Sequence, residues 1–339
     1  MRKLITRAKW RRHLSARSRS QQKANARFGV HKRERHARSL FRHRIHPFKK
    51  QGAVRAPETF SLIQNTGETI RFFDEIKKTA RSRNVYVDLS GVKAMTPDAI
   101  TGLLATIHQR TIGSAVVSGN VPQVSAVAEM IENSGFREHV HTPGGTRYEP
   151  KAGKIRKRHE SVEAFQRVFD RILAKELVEF GTGKLFGTPR PNGPSFSVLT
   201  EAMLNTFNHA SRIPGTKEPW WASVYFDPDR QRACFTFIDQ GVGIFESFSM
   251  MQRLKMRLDL LASSRADILK GLFQGQVASS SGEPGRGNGI PRIYDHVKAH
   301  RIHNLTVVTN NVKGEGETDR YGMLDASYQG TLLYWEMTA

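Results

Sequence analysis

Positive charge is spread so unevenly along this chain that only part of it has the means to build a core. Residues 1–57 hold 19 Lys and Arg against a single acid, Glu34, a net +18 out of the chain's +22. Such a stretch buries too little apolar surface to offset its ordering entropy, so it reads as a disordered basic arm. The other 282 of the 339 residues carry only +4, an ordinary globular balance with room for about two domains. Within the arm, Trp10, Phe28, Phe41 and Phe48 and five histidines stand among the cations. That mixture suits nucleic acid, with Arg and Lys on phosphates and rings stacked on bases. An acidic protein or membrane surface, or no specific partner, stay open as alternatives.

Cys234 is the only cysteine, so no internal disulfide forms, which suits a reducing, cytoplasmic location. It shares a strand face with Thr236 and Ile238 and reads as a small core residue rather than a nucleophile. No apolar run approaches the roughly 18–20 residues of a membrane span, and the N-terminus lacks the apolar segment of a secretory signal. An organelle transit peptide is the alternative reading of the Arg-rich start.

Residues 58–150 read as a small α/β unit. Val85-Tyr-Val87-Asp-Leu89 is a strand closed by a Gly91 turn. Thr96-Pro97 supplies a helix N-cap and a proline at the first helical position. Ile100, Leu103, Leu104 and Ile107 then follow at the spacing of one helical face. A second strand, Ala115-Val116-Val117, precedes a helix opened by Pro122 and striped by Val124, Val127, Ala128 and Ile131. Two successive strand-helix units favour a parallel or mixed sheet. Val87-Asp-Leu-Ser-Gly-Val92, Thr96-Pro-Asp98 and Asn133-Ser-Gly-Phe136 resemble the STAS domain, the fold of anti-sigma factor antagonists. The resemblance implies a protein-docking role. The serine that such domains commonly phosphorylate is missing at Thr96-Pro97-Asp98, so Thr96 is expected to act as a structural cap.

Residues 151–195 read as a linker followed by a helix from about 159 to 180, with Phe165, Val168, Phe169 and Ile172 on a stripe that suits a core or dimer contact. Gly181-Thr-Gly183-Lys184 lacks both the first glycine and the Ser or Thr after the lysine that a phosphate-binding P-loop needs. His159-Glu160 superficially matches a phosphoacceptor pair but lacks the Arg-Thr-Pro continuation, so autophosphorylation there is not expected.

Three polar elements follow in order. In Glu201-Ala-Met-Leu-Asn205-Thr-Phe-Asn208-His209, Glu201, Asn205 and His209 are spaced by four and share one helical face, with Asn208 adjacent. Met203, Leu204 and Phe207 are expected to be buried. The strand Ala233–Ile238 ends at Asp239, just before Gly241 and Gly243. There a carboxylate can accept from an exocyclic amine while glycines let the backbone approach a flat ring. Gly285, Gly287 and Gly289 precede the helical run Ile290–His300, where free N–H groups and the helix dipole favour phosphate. Neither loop has the GxGxxG spacing of a dinucleotide-binding βαβ unit.

These elements, with Gly330-Thr331 opening the strand Leu332–Met337, resemble the ATP-binding domain of the GHKL superfamily, which joins gyrase, heat-shock chaperones, histidine kinases and MutL. The resemblance covers 196–339 and implies a Bergerat-type α/β sandwich, helices on a mixed sheet. It implies that Asn205 holds Mg²⁺ against ATP, that Asp239 reads the adenine amine with support from Thr331, and that Asn208 and His209 line the phosphates. The glycines Gly241, Gly243, Gly285, Gly287 and Gly289 would wrap the nucleotide. Glu201 matches the carboxylate that activates water in hydrolytic members, and 245–284 would be the ATP lid. The expected function is Mg²⁺-dependent ATP binding with slow hydrolysis coupled to lid closure, as a monomer or homodimer. An anti-sigma-type serine/threonine kinase, a non-enzymatic ATP-gated adaptor and a nucleic-acid binder remain as alternatives.

Overall fold

A computed structural model of the chain describes residues 53–140, 152–157, 170–211, 218–248, 264–276 and 289–339. The basic arm up to residue 52, His159-Glu160, Phe165, Val168 and Phe169 lie outside them. From Val54 onward the described residues form one compact α/β unit, with eight α-helices and both parallel and antiparallel sheets. No described helix is long and apolar enough to cross a membrane.

The N-terminal half begins with strands β1 (Ala53–Arg55) and β2 (Thr59–Phe60), then helix α1 (Thr66–Ala80), β3 (Val85–Asp88) and β4 (Ala94–Met95). Helix α2 (Pro97–Ile107), β5 (Val117–Gly119) and α3 (Ser125–Asn133) complete it. The expected parallel pairing is present: β3 runs parallel to β5, and β2 parallel to β4. Thr96 is the residue before α2, with Pro97 at its start, but the Thr96 hydroxyl donates to Ser61 Oγ at 2.7 Å instead of capping the helix.

The C-terminal half contains β6 (Gly153–Lys157), α4 (Arg171–Phe186), α5 (Gly193–His209), β7 (Trp220–Asp227) and β8 (Arg232–Asp239). Short α6 (Ile244–Ser247), α7 (Arg265–Phe273), α8 (Gly289–Lys298), β9 (His303–Glu315) and β10 (Arg320–Thr338) follow. The five strands are ordered β6-β7-β8-β10-β9, and every neighbouring pair is antiparallel. The resemblance implied a mixed sheet; short connections between β7 and β8 and between β9 and β10 force antiparallel pairing instead. Strand β6 falls in the stretch read as a linker and forms the sheet edge. Helix α4 runs on through Gly181 and Gly183, past the end expected near residue 180. A Cβ on Gly181 would lie 3.1 Å from the Phe235 ring, so the glycine lets the helix lie close against the sheet. Ile172, expected in a core or dimer stripe, is 69% exposed.

Both faces of this sheet are covered, which explains why its strands read as nearly continuous apolar runs. On β8, Ala233, Phe235 and Phe237 face α4, α5, α7 and α8, together with Leu333, Trp335 and Met337 of β10. Phe235 and Trp335 stack with ring centroids 5.2 Å apart. The alternate residues Cys234 and Ile238, with Trp221, Leu332 and Tyr334, pack against Phe73, Ile100 and Leu104 of α1 and α2. Side chains alternate across a pleated strand, so one strand feeds two apolar clusters. The N-terminal half thus shares its core with the sheet rather than closing a separate one. Hydroxyls of Thr101 and Ser223, 2.7 Å apart, and the Lys313 amine on the Ile63 carbonyl at 2.7 Å add polar contacts across this boundary. Cys234 is buried there, and burial pushes its thiol up to about 12, which keeps it protonated and unreactive.

Candidate functional site

Helix α5 starts cleanly because the Asn192 side chain accepts from the Ser195 N–H at 2.9 Å. Its buried face is Val198, Leu199, Ala202, Met203 and Thr206; Leu204 and Phe207, expected inside, are only partly covered. That rotation puts Glu201 and Asn205 side by side on a partly exposed face. Asn208 and His209 lie at the exposed C-terminal end of the helix.

Glu201 and Asn205 face the first turn of α8. A Cβ on Gly289 would lie 2.7 Å from Glu201 Oε2 and 3.6 Å from both terminal atoms of the Asn205 amide. Arg292, three residues beyond Gly289 in that turn, donates from Nη1 to Glu201 Oε1 at 2.7 Å. Residues about 90 positions apart in the chain therefore meet where α8 begins. Gly285 and Gly287 lie outside the described residues.

Asp239 ends β8, paired across the sheet with Thr331 of β10 on one side and Trp220 of β7 on the other. Its Oδ1 accepts from the Gly241 N–H at 2.8 Å, and its Oδ2 from the Thr206 hydroxyl at 3.5 Å. Thr206 follows Asn205 in α5, so this helix touches Asp239 through Thr206 and presents Glu201 and Asn205 to Gly289. Burial lifts the Asp239 carboxyl to about 6, against the opposing hydrogen bonds of Gly241, Thr331 and Thr206. Gly330 has φ of +108°, and a side chain there would drive into the Asp239 carbonyl oxygen.

Four residues that the sequence did not single out hold this loop. Asn310 donates from Nδ2 to the Val242 carbonyl at 2.9 Å and accepts at Oδ1 from the Phe245 N–H at 3.2 Å. The Thr309 hydroxyl accepts from the Ile244 N–H at 2.9 Å and donates to the Gly330 carbonyl at 3.2 Å. Gly243, with φ of +80°, lies so close that a Cβ would be 2.5 Å from Asn310 Oδ1. The Gln240 side chain points the other way and donates to the carbonyl of Ala105 in α2, tying the loop to the N-terminal half. Thr206 is the fourth. The available signal was Thr309-Asn310-Asn311, a polar run directly after the apolar Val307-Val308.

The stretch expected as a lid contributes a packed helix. Ile268, Leu269, Leu272 and Phe273 of α7 are buried in the core, and a capping box between Ser264 and Asp267 starts the helix. The flanks 249–263 and 277–288 lie outside the described residues. A cleft of about 530 Å³ opens elsewhere, between Thr96, Met130, Tyr225 and Glu336, and neither Asp239 nor Glu201 lines it.

Among the described residues no three His, Cys, Asp or Glu side chains gather as metal ligands. The donor set nevertheless fits Mg²⁺ of the kind carried by a nucleotide, which takes one or two protein oxygens and leaves the rest to phosphates and water. The Asn205 amide beside Gly289 meets that need. No protein-family model matches this chain, and no curated protein matches it, so the functional reading rests on the geometry of these residues.

Proposed function

We propose that this chain is a Mg²⁺-dependent ATP-binding protein of the GHKL type and a slow ATPase. The observation that carries the reading is the convergence of Glu201 and Asn205 on Gly289, with Asp239 behind Thr206 one residue along the same helix. Asp239 accepts from the exocyclic amine of adenine, and Thr331 opposite it braces the strand end. Gly241 and Gly243 keep the loop backbone low against the base. The first-turn N–H groups of α8, at Gly289, Ile290 and Arg292, face the phosphates. Mg²⁺ at the Asn205 amide supplies charge neutralisation on the triphosphate.

Glu201 then orients a water and takes its proton as the water oxygen bonds to the γ-phosphorus. The bond from that phosphorus to the β–γ bridging oxygen breaks, and the electron pair leaves on ADP. Residues 1–57 add affinity for phosphate backbones, and the STAS-like half offers a surface to a protein partner.

Incubation with ATP labelled at the γ-phosphate tests the reaction. Free labelled phosphate, strongly reduced in Glu201→Gln, supports hydrolysis. Label on protein supports the kinase reading instead, and ATP binding without either product leaves an ATP-gated adaptor. For the arm, nucleic-acid affinity is expected to fall steeply with salt and to vanish on deletion of residues 1–57; salt-independent binding contradicts it.

A further inference from the structure

We propose that Arg292 is the positioning residue for Glu201 in ATP hydrolysis, an inference that rests on the ATP-site reading. The Glu201 side chain is 14% exposed while that of Arg292 is 56% exposed. The carboxylate is thus enclosed, and the guanidinium reaches it from the solvent side. The contact separates the two carboxylate oxygens: Oε1 accepts from Arg292 Nη1 at 2.7 Å, and Oε2 faces Gly289 at the opening of α8. A carboxylate with both oxygens free rotates among several orientations. One held at Oε1 presents Oε2 in a fixed direction, toward the helix start where the terminal phosphate is placed.

Stability does not account for the pair. An ion pair with one largely exposed partner contributes about 0–1 kcal/mol, and Lys or Arg at the start of a helix opposes its dipole. Arg292 sits in the first turn of α8, where a cation is unfavourable unless an acid such as Glu201 faces it. During turnover the water proton passes to Oε2, the water oxygen bonds to the γ-phosphorus, and ADP leaves with the bridging electron pair. Oε1 stays on Arg292 throughout.

The test uses the full chain and four variants: R292A, R292K, E201Q and the double variant E201Q/R292A. Calorimetry gives the Kd for ATP with Mg²⁺, phosphate release gives kcat and KM, and thermal melting checks folding. R292A is expected to lower kcat about tenfold or more while KM and Kd move less than about threefold, because orientation of the base matters only in the transition state. R292K, which keeps a donor and the charge, is expected to recover most of the loss. In the E201Q background R292A is expected to add less than about twofold, because the effect runs through Glu201. A wild-type kcat in R292A, or an equal loss with and without the Glu201 carboxylate, overturns the assignment. So does a wild type that binds ATP but releases no phosphate, although the ATP site then survives; a wild type that binds no ATP removes the site itself.

Discussion

Asp98 and Asp239 are two buried aspartates, and burial lifts each carboxyl to about 6, yet their surroundings differ. Asp98 lies in the first turn of α2, wholly buried. Its Oδ2 accepts from the Leu62 N–H at 2.6 Å, and its Oδ1 has no hydrogen-bonding partner among the described residues. Asp239 has donors on both oxygens and glycines at 241, 243 and 330 around it. Asp98 fixes the chain between β2 and α1. Asp239 stands at a strand end where the backbone is kept bare. A raised carboxyl by itself therefore does not distinguish a structural aspartate from one poised to meet a ligand; the residues around it do.

The largest effect expected from breaking this contrast is at Gly330. Gly330→Ala places a methyl against the Asp239 carbonyl oxygen at a φ of +108°. It is expected to destabilise the fold by about 3 kcal/mol or more, through strain and overpacking. A urea midpoint equal to that of the wild type would contradict the crowding around Asp239.

A pH titration of stability sharpens the contrast next. A carboxyl raised from 3.8 to about 6 on folding binds its proton more tightly in the native state. Its favourable contribution is complete below pH 4 and is lost as pH rises through 6. At neutral pH that loss is on the order of 3 kcal/mol for a shift of about two units. Asp98→Asn keeps an acceptor for Leu62 and removes the titration. Its stability relative to wild type is therefore expected to improve by about that amount between pH 4 and pH 7.5. A constant difference across the window would show that Asp98 does not titrate there.

The smallest effect concerns the tether between the halves. Gln240→Ala leaves the Ala105 carbonyl without its donor, at a cost of roughly 1–3 kcal/mol. If the tether serves only the fold, denaturant midpoints fall while ATP affinity holds within about twofold. A larger loss of affinity would make Gln240 part of the ligand site.

Local elements were legible in the sequence wherever periodicity and breakers agreed. The Glu201–Asn205 face, the strand ending at Asp239 and the helix after Gly289 all follow from spacing and from glycine placement. What sequence spacing does not report is which distant segment closes on a loop. Thr309 and Asn310 hold residues 65 positions away, and Arg292 meets Glu201 from 91 positions away. The doubly covered sheet was missed for a related reason. Cys234 and Ile238 are apolar like their neighbours, but only tertiary packing says that α1 and α2 cover them. The end of α4 was placed too early, near residue 180, because the role of Gly181, close contact with Phe235, is set by tertiary packing.

The most direct measurement is calorimetry of the full chain with ATP and Mg²⁺, run in parallel on wild type, Asp239→Asn and Asp98→Asn. The account predicts saturable heat for wild type, a loss of affinity of about a hundredfold or more in Asp239→Asn, and a Kd within about twofold of wild type in Asp98→Asn. Folded wild-type protein that gives no heat up to millimolar ATP, or an Asp239→Asn variant that binds as tightly as wild type, would contradict it.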